Sequence, residues 1–448
     1  MSAEHSARSV SETEGVDKVR ALQRVLYRSA KSDPARRFHA LYHHVARSDI
    51  MWRAWGNVAA NRGAPGVDGV SISDVEDSGV GEFLTGLAEE LKAKSYCPKP
   101  LRRVHIPKPG QPGKTRPLGI PCVCDRVVMA AAKIVLEPIF EADFLPCSFG
   151  FRPKRSAHMA NEVIRAEANR GADWVLDADV SDCFGSIDHE ALMALVAKRV
   201  VDRQMLKLIR SWLRAGVLED GVVADVESGT PQGSPISPLL ANIALHVLDV
   251  EWEKVGRRLG VLVRFADDFV VLCASKARAE EARARAGAVL STLGLQLHPE
   301  KTRIIRLTQG EEGFDFLGFH HRKVEAWRWP GHFYLQRWPS KRAMGSIRDK
   351  VRAATDRKFV GYSLEAAVDR LNPVLRGWGN FFRYGNSARK FTSVDSYVHM
   401  RLAMLASAKY GLSHRNWAKG NRFDLQWLSG LGVYRLTGTV RRWERAHA

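Results

Sequence analysis

The segment VLVRFADDFVVLC (261–273) sets two short apolar runs on either side of Ala-Asp-Asp. Runs rich in Val, Leu and Phe at this length read as strands, and the acidic break between them reads as a tight turn. Aspartate is a favoured turn residue, so a polar hairpin tip would by itself account for Asp267 and Asp268. A third acid changes the balance. Asp179 follows the apolar run Trp174-Val175-Leu176 in WVLDADVSDCF (174–184), in the same kind of setting.

If the two strands are neighbours, three carboxylates converge at one edge of a sheet. Like charges at that spacing are costly unless a cation neutralises them. Hard oxygen ligands of this type suit Mg²⁺, which takes a few carboxylates and completes its shell with substrate phosphates. Two such ions can activate an attacking 3′-hydroxyl and stabilise a leaving pyrophosphate in an in-line transfer. Asp177 and Asp182 lie nearby, and spacing alone leaves them as further candidates. No Ser/His/Asp or Cys/His arrangement accompanies the acids at a readable spacing, which disfavours a hydrolytic triad.

Charge points the same way. The chain carries 68 Lys and Arg against 49 Asp and Glu, a net +19. Residues 322–448 hold 25 of the bases and 8 of the acids, so nearly the whole excess lies in the last 127 residues, with seven of the twelve tryptophans. Concentrated positive charge interleaved with planar side chains suits a phosphate backbone and stacked bases, and a polyanionic partner is expected. No apolar run approaches the roughly 18 residues of a membrane span, and the polar N-terminus lacks a signal peptide's apolar core. The six cysteines form no C-x-x-C, so neither a zinc module nor a disulfide scaffold is expected. A soluble, cytoplasmic protein, free to associate with the nucleoid, is expected, with no membrane partner. At 448 residues, length suggests roughly three domains.

Along the chain, residues 1–15 read as disordered and Val16–Ala30 as helical. Asp33-Pro34 reads as the start of an amphipathic helix carrying Phe38, Leu41, Tyr42, Val45 and Ala46, ended by the turn residues 63–70. A hairpin with a basic tip is expected between Lys99 and Arg126, then helices over Val127–Phe140 and Ala157–Arg170. The loop 229–238 leads into a helix capped by Ser237. Beyond Trp338-Pro339 three helices are expected. Ser340 opens the first; Ser363 opens the second, which Pro373 kinks; Thr392 or Ser393 caps the third, with Gly411 at its end. The tail from Leu412 has no clear period.

Taken in order, the motifs resemble those of a bacterial group II intron reverse transcriptase, or maturase. KTRPLGIP (114–121) resembles the fingers motif, SFGFRPKRSAH (148–158) the next block, and DADVSDCFGSIDH (177–189) the first catalytic motif of the palm. GTPQGSPISPLLANI (229–243), RFADDFVVL (264–272), LGLQLHPEKTRI (293–304) and FDFLGF (314–319) follow in the family's order, and 340–415, with LRGWGNFFRY (375–384), resembles the thumb or maturase-specific region. The resemblance implies an α+β right-hand polymerase with an antiparallel palm sheet and a helical thumb. The domains would be a partly disordered extension (1–34), fingers and palm (35–325), thumb (340–415) and a short basic tail (416–448).

Carried over by position, the resemblance implies Asp179, Asp267 and Asp268 as catalytic, metal-holding residues for two Mg²⁺ ions. Phe184 corresponds to the bulky gate against a ribose 2′-hydroxyl, Gln232 and Gly233 to the motif lining the nascent base pair. Arg116 and Lys108 correspond to basic positions near the incoming triphosphate, and Lys301 to a basic position behind the site. By the same resemblance, Arg342, Arg348, Lys350, Arg376, Arg383, Arg389 and Lys390 would supply a basic thumb surface for folded RNA. The implied partners are the intron RNA, an RNA template with a DNA primer and dNTPs, with target DNA as a further candidate, and RNA affinity should fall steeply with salt. Two departures stand out. Phe265 takes the place of the usual Tyr of the YADD box, and the paired Cys and His of a homing endonuclease are absent, so strand cleavage is not expected. Two other readings remain open: a non-catalytic RNA-binding splicing cofactor, and a reverse transcriptase recruited to phage defence or DNA repair.

Overall fold

The structure, a computed structural model, describes residues 18–107, 113, 115–219, 222–224, 228–230, 233–254, 256–412 and 423–441. The expectation for residues 1–15 lies outside the described residues, as do Lys108 and Gln232. Among the described residues, no helix is long and apolar enough to cross a membrane.

Helix α1 covers 18–32. The helix expected behind Asp33-Pro34 does not form at once. Asp33 Oδ1 instead accepts from the Ala35 amide at 2.9 Å, and Phe38 makes a parallel bridge to Val200. The tertiary contact to Val200 competes with local helix and wins, so the apolar stripe is split between α2 (Tyr42–Val45) and α3 (Ser48–Ala60). Helices α4 (Ile72–Ser78) and α5 (Val80–Ala93) follow, then strands β1 (Leu101–Pro107) and β2 (Thr115–Ile120), which pair antiparallel as the expected hairpin. Next come α6 (Val123–Glu141), buried almost all round, and α7 (Ala157–Asn169), capped by Ser156.

Strand β3 (Trp174–Asp179) runs into α8 (Cys183–Ser186), α9 (His189–Ala197) and α10 (Arg203–Leu213). The short strands β4 (Val217–Glu219) and β5 (Val222–Ala224) extend the first hairpin into a sheet of order β2-β1-β4-β5. Helix α11 (Ser237–Lys254) begins at the expected Ser237, and β6 (Val261–Phe265), β7 (Asp268–Cys273), α12 (Lys276–Ser291) and β8 (Arg303–Arg306) complete the central body.

That body is organised by the antiparallel sheet β6-β7-β3-β8. Side chains alternate across a strand. Leu176, Leu262, Phe269 and Val271 therefore enter the core shared with α6, α11 and α12, while Val175, Val263, Val270 and Leu272 enter a second core with Ile164 and Ala168 of α7. Both faces are covered, which is why the strands are apolar at nearly every position.

Strands β9 (Gly313–Phe316), β10 (Phe319–Ala326) and β11 (Trp329–Pro339) form a separate antiparallel sheet. Ser340 and Ser363 cap α13 (Lys341–Ala354) and α14 (Leu364–Phe382) as expected, and Pro373 lies inside α14, which runs on past it. The third helix, α15 (Ala388–Lys409), starts earlier than expected, behind Ser387 rather than Thr392 or Ser393, and ends before Gly411 at φ +66. Residues 423–441 include α16 (Leu425–Gly430). Phe423, Leu428, Val433 and Leu436 are buried with Leu371, Leu375 and Phe391 of α14 and α15, so this stretch shares the helical unit's core. Fully burying a side chain the size of Leu436 is worth about 1.5–3 kcal/mol.

Candidate active site

The site is built on a strand register. In the β3–β7 ladder Asp179 stands opposite Asp268, and in the β6–β7 hairpin Phe265 stands opposite Asp268, leaving Ala266 and Asp267 as a two-residue turn. Ala266 has φ +58, the sign a type II′ turn requires at its first central residue and one a side chain disfavours by about 1–2 kcal/mol. The strain is held by Arg264. Its Nη1 donates to the Ala266 carbonyl at 3.0 Å and to Asn242 Oδ1 at 3.0 Å, its Nε to Asp249 Oδ1 at 2.7 Å, and its Nη2 to Asp249 Oδ2 at 2.5 Å and Ser148 Oγ at 2.9 Å. All five guanidinium donors are used, and Arg264 and Asp249 are both fully buried. Burial by itself would raise the Asp249 carboxyl, but the adjacent guanidinium holds it down at about 2.

The turn is also pressed from outside. A Cβ on Gly150 would collide with the Ala266 amide and lie 2.9 Å from the Phe265 carbonyl carbon. Asn242 Nδ2 donates to the Gly150 carbonyl at 2.8 Å, tying the SFGFRP loop into the same network. Sequence reasoning missed this support. The available signal was an arginine within an otherwise apolar strand, a placement that demands a buried partner.

At the same end of the ladder, the His298 amide donates to the Asp179 carbonyl at 2.8 Å, and the Lys301 ammonium donates to Asp179 Oδ2. Asp177 lies one pleat back on the same face, bonded to Arg303 at 3.1 Å, and burial lifts its pKa to about 6. Burial raises the Asp267 carboxyl, as does the charge of Asp179, whereas Arg116 and Lys301 pull it down. As a whole residue Asp268 is exposed, yet protein atoms crowd its carboxyl. That crowding and the charges of Asp267 and Asp179 push it well above the usual carboxylate range.

The donor set therefore fits a hard divalent cation. Three carboxylates repel one another, all are oxygen donors, and one is already shared with an ammonium. Among the described residues, no three His, Cys, Asp or Glu side chains stand ready-gathered round one point as a metal cluster. Lys301 takes the Asp179 oxygen that a cation would need.

Arg116, exposed on β2, acts electrostatically on Asp267 and so shares its surroundings. Phe184, in α8, is half-buried against the main core, and its carbonyl accepts from the Thr230 amide at 2.5 Å. Gly233, at φ +113, comes so close to β2 that a Cβ would sit 2.9 Å from the Gly119 carbonyl oxygen. Thr230 is thus tied to α8, and Gly233 lies against β2. Asp182 immediately precedes α8, its carboxylate close against Gly185. Buried Thr230 Oγ1 has no hydrogen-bond partner among the described residues.

The thumb cations are spread over several faces. Arg342, Arg348 and Lys350 are exposed on α13, Arg348 reaching Ser393 at 3.2 Å. Arg376 covers the Tyr434 ring with its guanidinium carbon 5.2 Å from the centroid, and Arg383 bonds Asn380 and Tyr384. Arg389 and Lys390 lie in the first turn of α15.

The comparisons with known proteins agree with this architecture. Residues 106–321 match the model of reverse transcriptase (RNA-dependent DNA polymerase), and 344–423 match the maturase-specific domain of group II introns. The chain is 41% identical over 212 residues to the group II intron-encoded protein LtrA of Lactococcus lactis subsp. cremoris, covering 47% of this chain and 35% of LtrA. It is 34% identical over 342 residues to protein YkfC of Escherichia coli, covering 68% of this chain and 87% of YkfC. The chain thus spans about a third of LtrA and most of YkfC. A chain of the partial Cas6-RT-Cas1--Cas2 complex aligns loosely, with a TM-score of 0.35 and 25% identity over 59% of this chain and 44% of that one. The α+β body is a right-hand polymerase fold, fingers and palm followed by a helical maturase domain. The chain belongs to the family of group II intron reverse transcriptases with a maturase domain.

Proposed function

We propose that this chain is an RNA-directed DNA polymerase that extends a primer 3′-end with dNTPs on an RNA template and binds intron RNA to assist its splicing and mobility. The observation that carries the reading is the convergence of Asp179, Asp267 and Asp268 on one end of the palm sheet, with Arg116 and Lys301 acting on the same carboxylates. Fingers and palm are assigned to 35–325 and the thumb to 340–415.

Asp179, Asp267 and Asp268 are the residues that would hold Mg²⁺. When bound, Mg²⁺ supplies Lewis-acid activation of the primer 3′-hydroxyl and neutralises charge on the leaving pyrophosphate. Arg116, with Lys108, binds triphosphate oxygens through charge-assisted hydrogen bonds. Lys301 offsets negative charge at Asp179 and is positioned to exchange that contact for a phosphate. Phe184 excludes the ribose 2′-hydroxyl by volume. Gln232 and Gly233 line the nascent base pair, Gly233 because its missing side chain allows the loop close to β2. Arg264 does no chemistry but holds the Asp267 turn in its strained form.

The test is primer extension on an RNA template with Mg²⁺ and either dNTPs or NTPs, comparing wild type with Asp267→Ala. Extension with dNTPs, lost in the variant, is expected. No extension by wild type, alongside tight salt-sensitive RNA binding, would favour the non-catalytic splicing cofactor instead.

A further inference from the structure

The β10–β11 hairpin links the palm to the thumb, and its two faces differ. His321, Lys323, Leu335 and Arg337 are buried towards α7, while the opposite row runs through Trp338, Gln336 and Tyr334 to the tip. Trp327 is 91% exposed, Trp329 65% and Tyr334 41%. One exposed aromatic is ordinary, but several along one hairpin mark a contact surface.

Strand β11 is an edge of its sheet, and the edge is closed to strand addition. Asn169 Oδ1 accepts from the Leu335 amide at 2.7 Å, and Asn386 both accepts from and donates to the Arg337 backbone. Beside this edge lies a groove of about 1250 Å³ between the hairpin, α7 and the start of α15. Arg165, Arg389, Lys390 and Arg441 are among its walls.

The groove's acids are already engaged. Glu162 pairs with Arg165 and Arg337, and Glu325 accepts from the Gly331 amide at 2.7 Å. Arg389, Lys390 and Arg441 have no carboxylate partner among the described residues. Two of these cations sit in the first turn of α15, which holds no acid, where the helix dipole opposes positive charge. An anion in the groove would relieve both.

We infer that this groove is a docking site for single-stranded RNA, with unpaired bases stacked on Trp327, Tyr334 and Trp338 and phosphates against Arg389, Lys390 and Arg441. The inference rests on reading the chain as an RNA-binding polymerase and adds where unpaired RNA is held. Stacking platforms edged by cations are how proteins hold unpaired strands. A second copy is disfavoured as occupant because each chain carries a net +19. Residues 442–448 are disfavoured too, having two arginines against one glutamate.

The experiment is fluorescence anisotropy with a labelled 12-nucleotide oligouridylate, in EDTA and without nucleotides, over a salt series. Those conditions read the groove without polymerisation, so loss of primer extension and loss of this site are separate results. Trp327→Ala, a substitution at an exposed tip with its folding checked by circular dichroism, is expected to weaken binding about 5- to 100-fold. The double variant Arg389→Ala/Lys390→Ala is expected to lower the slope of log affinity against log salt by about 1.4. Wild-type affinity in Trp327→Ala, or an equal loss in Trp52→Ala at a distant exposed tryptophan, would overturn the assignment. So would a fall in sedimentation mass in Trp327→Ala with affinity retained, which would make the groove a contact between copies.

Discussion

Asp179 and Asp268 face each other across the β3–β7 ladder, and Lys301 is bonded to the first while the charge of Asp267 bears on the second. One carboxylate is paired with an ammonium, and burial with the charges of the neighbouring acids raises the pKa of the other. Such a pair is costly to fold without a cation, and that cost is the physical mark of the site.

Replacing Lys301 by Gln removes the ammonium but little packing. The pair is partly solvated, so the stability change is expected to stay within about 1 kcal/mol. Primer extension is expected to fall about 10- to 100-fold, the scale of one charge-assisted hydrogen bond. Melting curves beside extension rates check it; unchanged rates would remove Lys301 from the site.

The buried Arg264–Asp249 pair predicts an acid limit. The Asp249 pKa is depressed to about 2 in the folded protein, against about 3.9 when unfolded. Its contribution to stability is therefore fully present above pH 4 and lost as pH falls towards 2. Asp249→Asn leaves a buried guanidinium uncompensated and is expected to cost about 3–5 kcal/mol at pH 7. Urea denaturation at pH 7 and pH 3 measures both, and the difference between wild type and variant should narrow at the lower pH.

Gly150→Ala drives a methyl group into the backbone of the Asp267 turn. The turn must shift, and extension is expected to drop at least about 100-fold, the scale of a misplacement near 1 Å. Gly56→Ala, with open space around it, should leave both activity and stability nearly unchanged. Equal activities in the two variants would show that the turn tolerates displacement.

Phe184→Ala opens the volume assigned to the ribose gate. NTP incorporation relative to dNTP is expected to rise about 10-fold or more, because exclusion by a full aromatic ring is lost. Single-nucleotide extension with paired dNTP and NTP reads the ratio directly. A ratio equal to wild type would mean that Phe184 serves only the core.

Much of this protein was legible in its sequence. Apolar runs broken by acids located β3, β6 and β7, capping serines located α13 and α14, and the order of motifs led to the family. These signals are local, carried by neighbouring residues through strand periodicity, caps and turns. What tertiary structure decided was partnership. The stripe from Phe38 to Ala46 reads as one helix, but pairing with Val200 ends that option. Residues 423–441 read as a tail, yet their scattered apolar side chains find a core only against α14 and α15. Arg264 is an anomaly in the sequence until Asp249, Asn242 and Ser148 close around it, from as far as 116 residues away. Local rules specify what each segment tends to form. Which charges are paired and which strained turn is held depends on contacts that exist only when distant segments exclude water together.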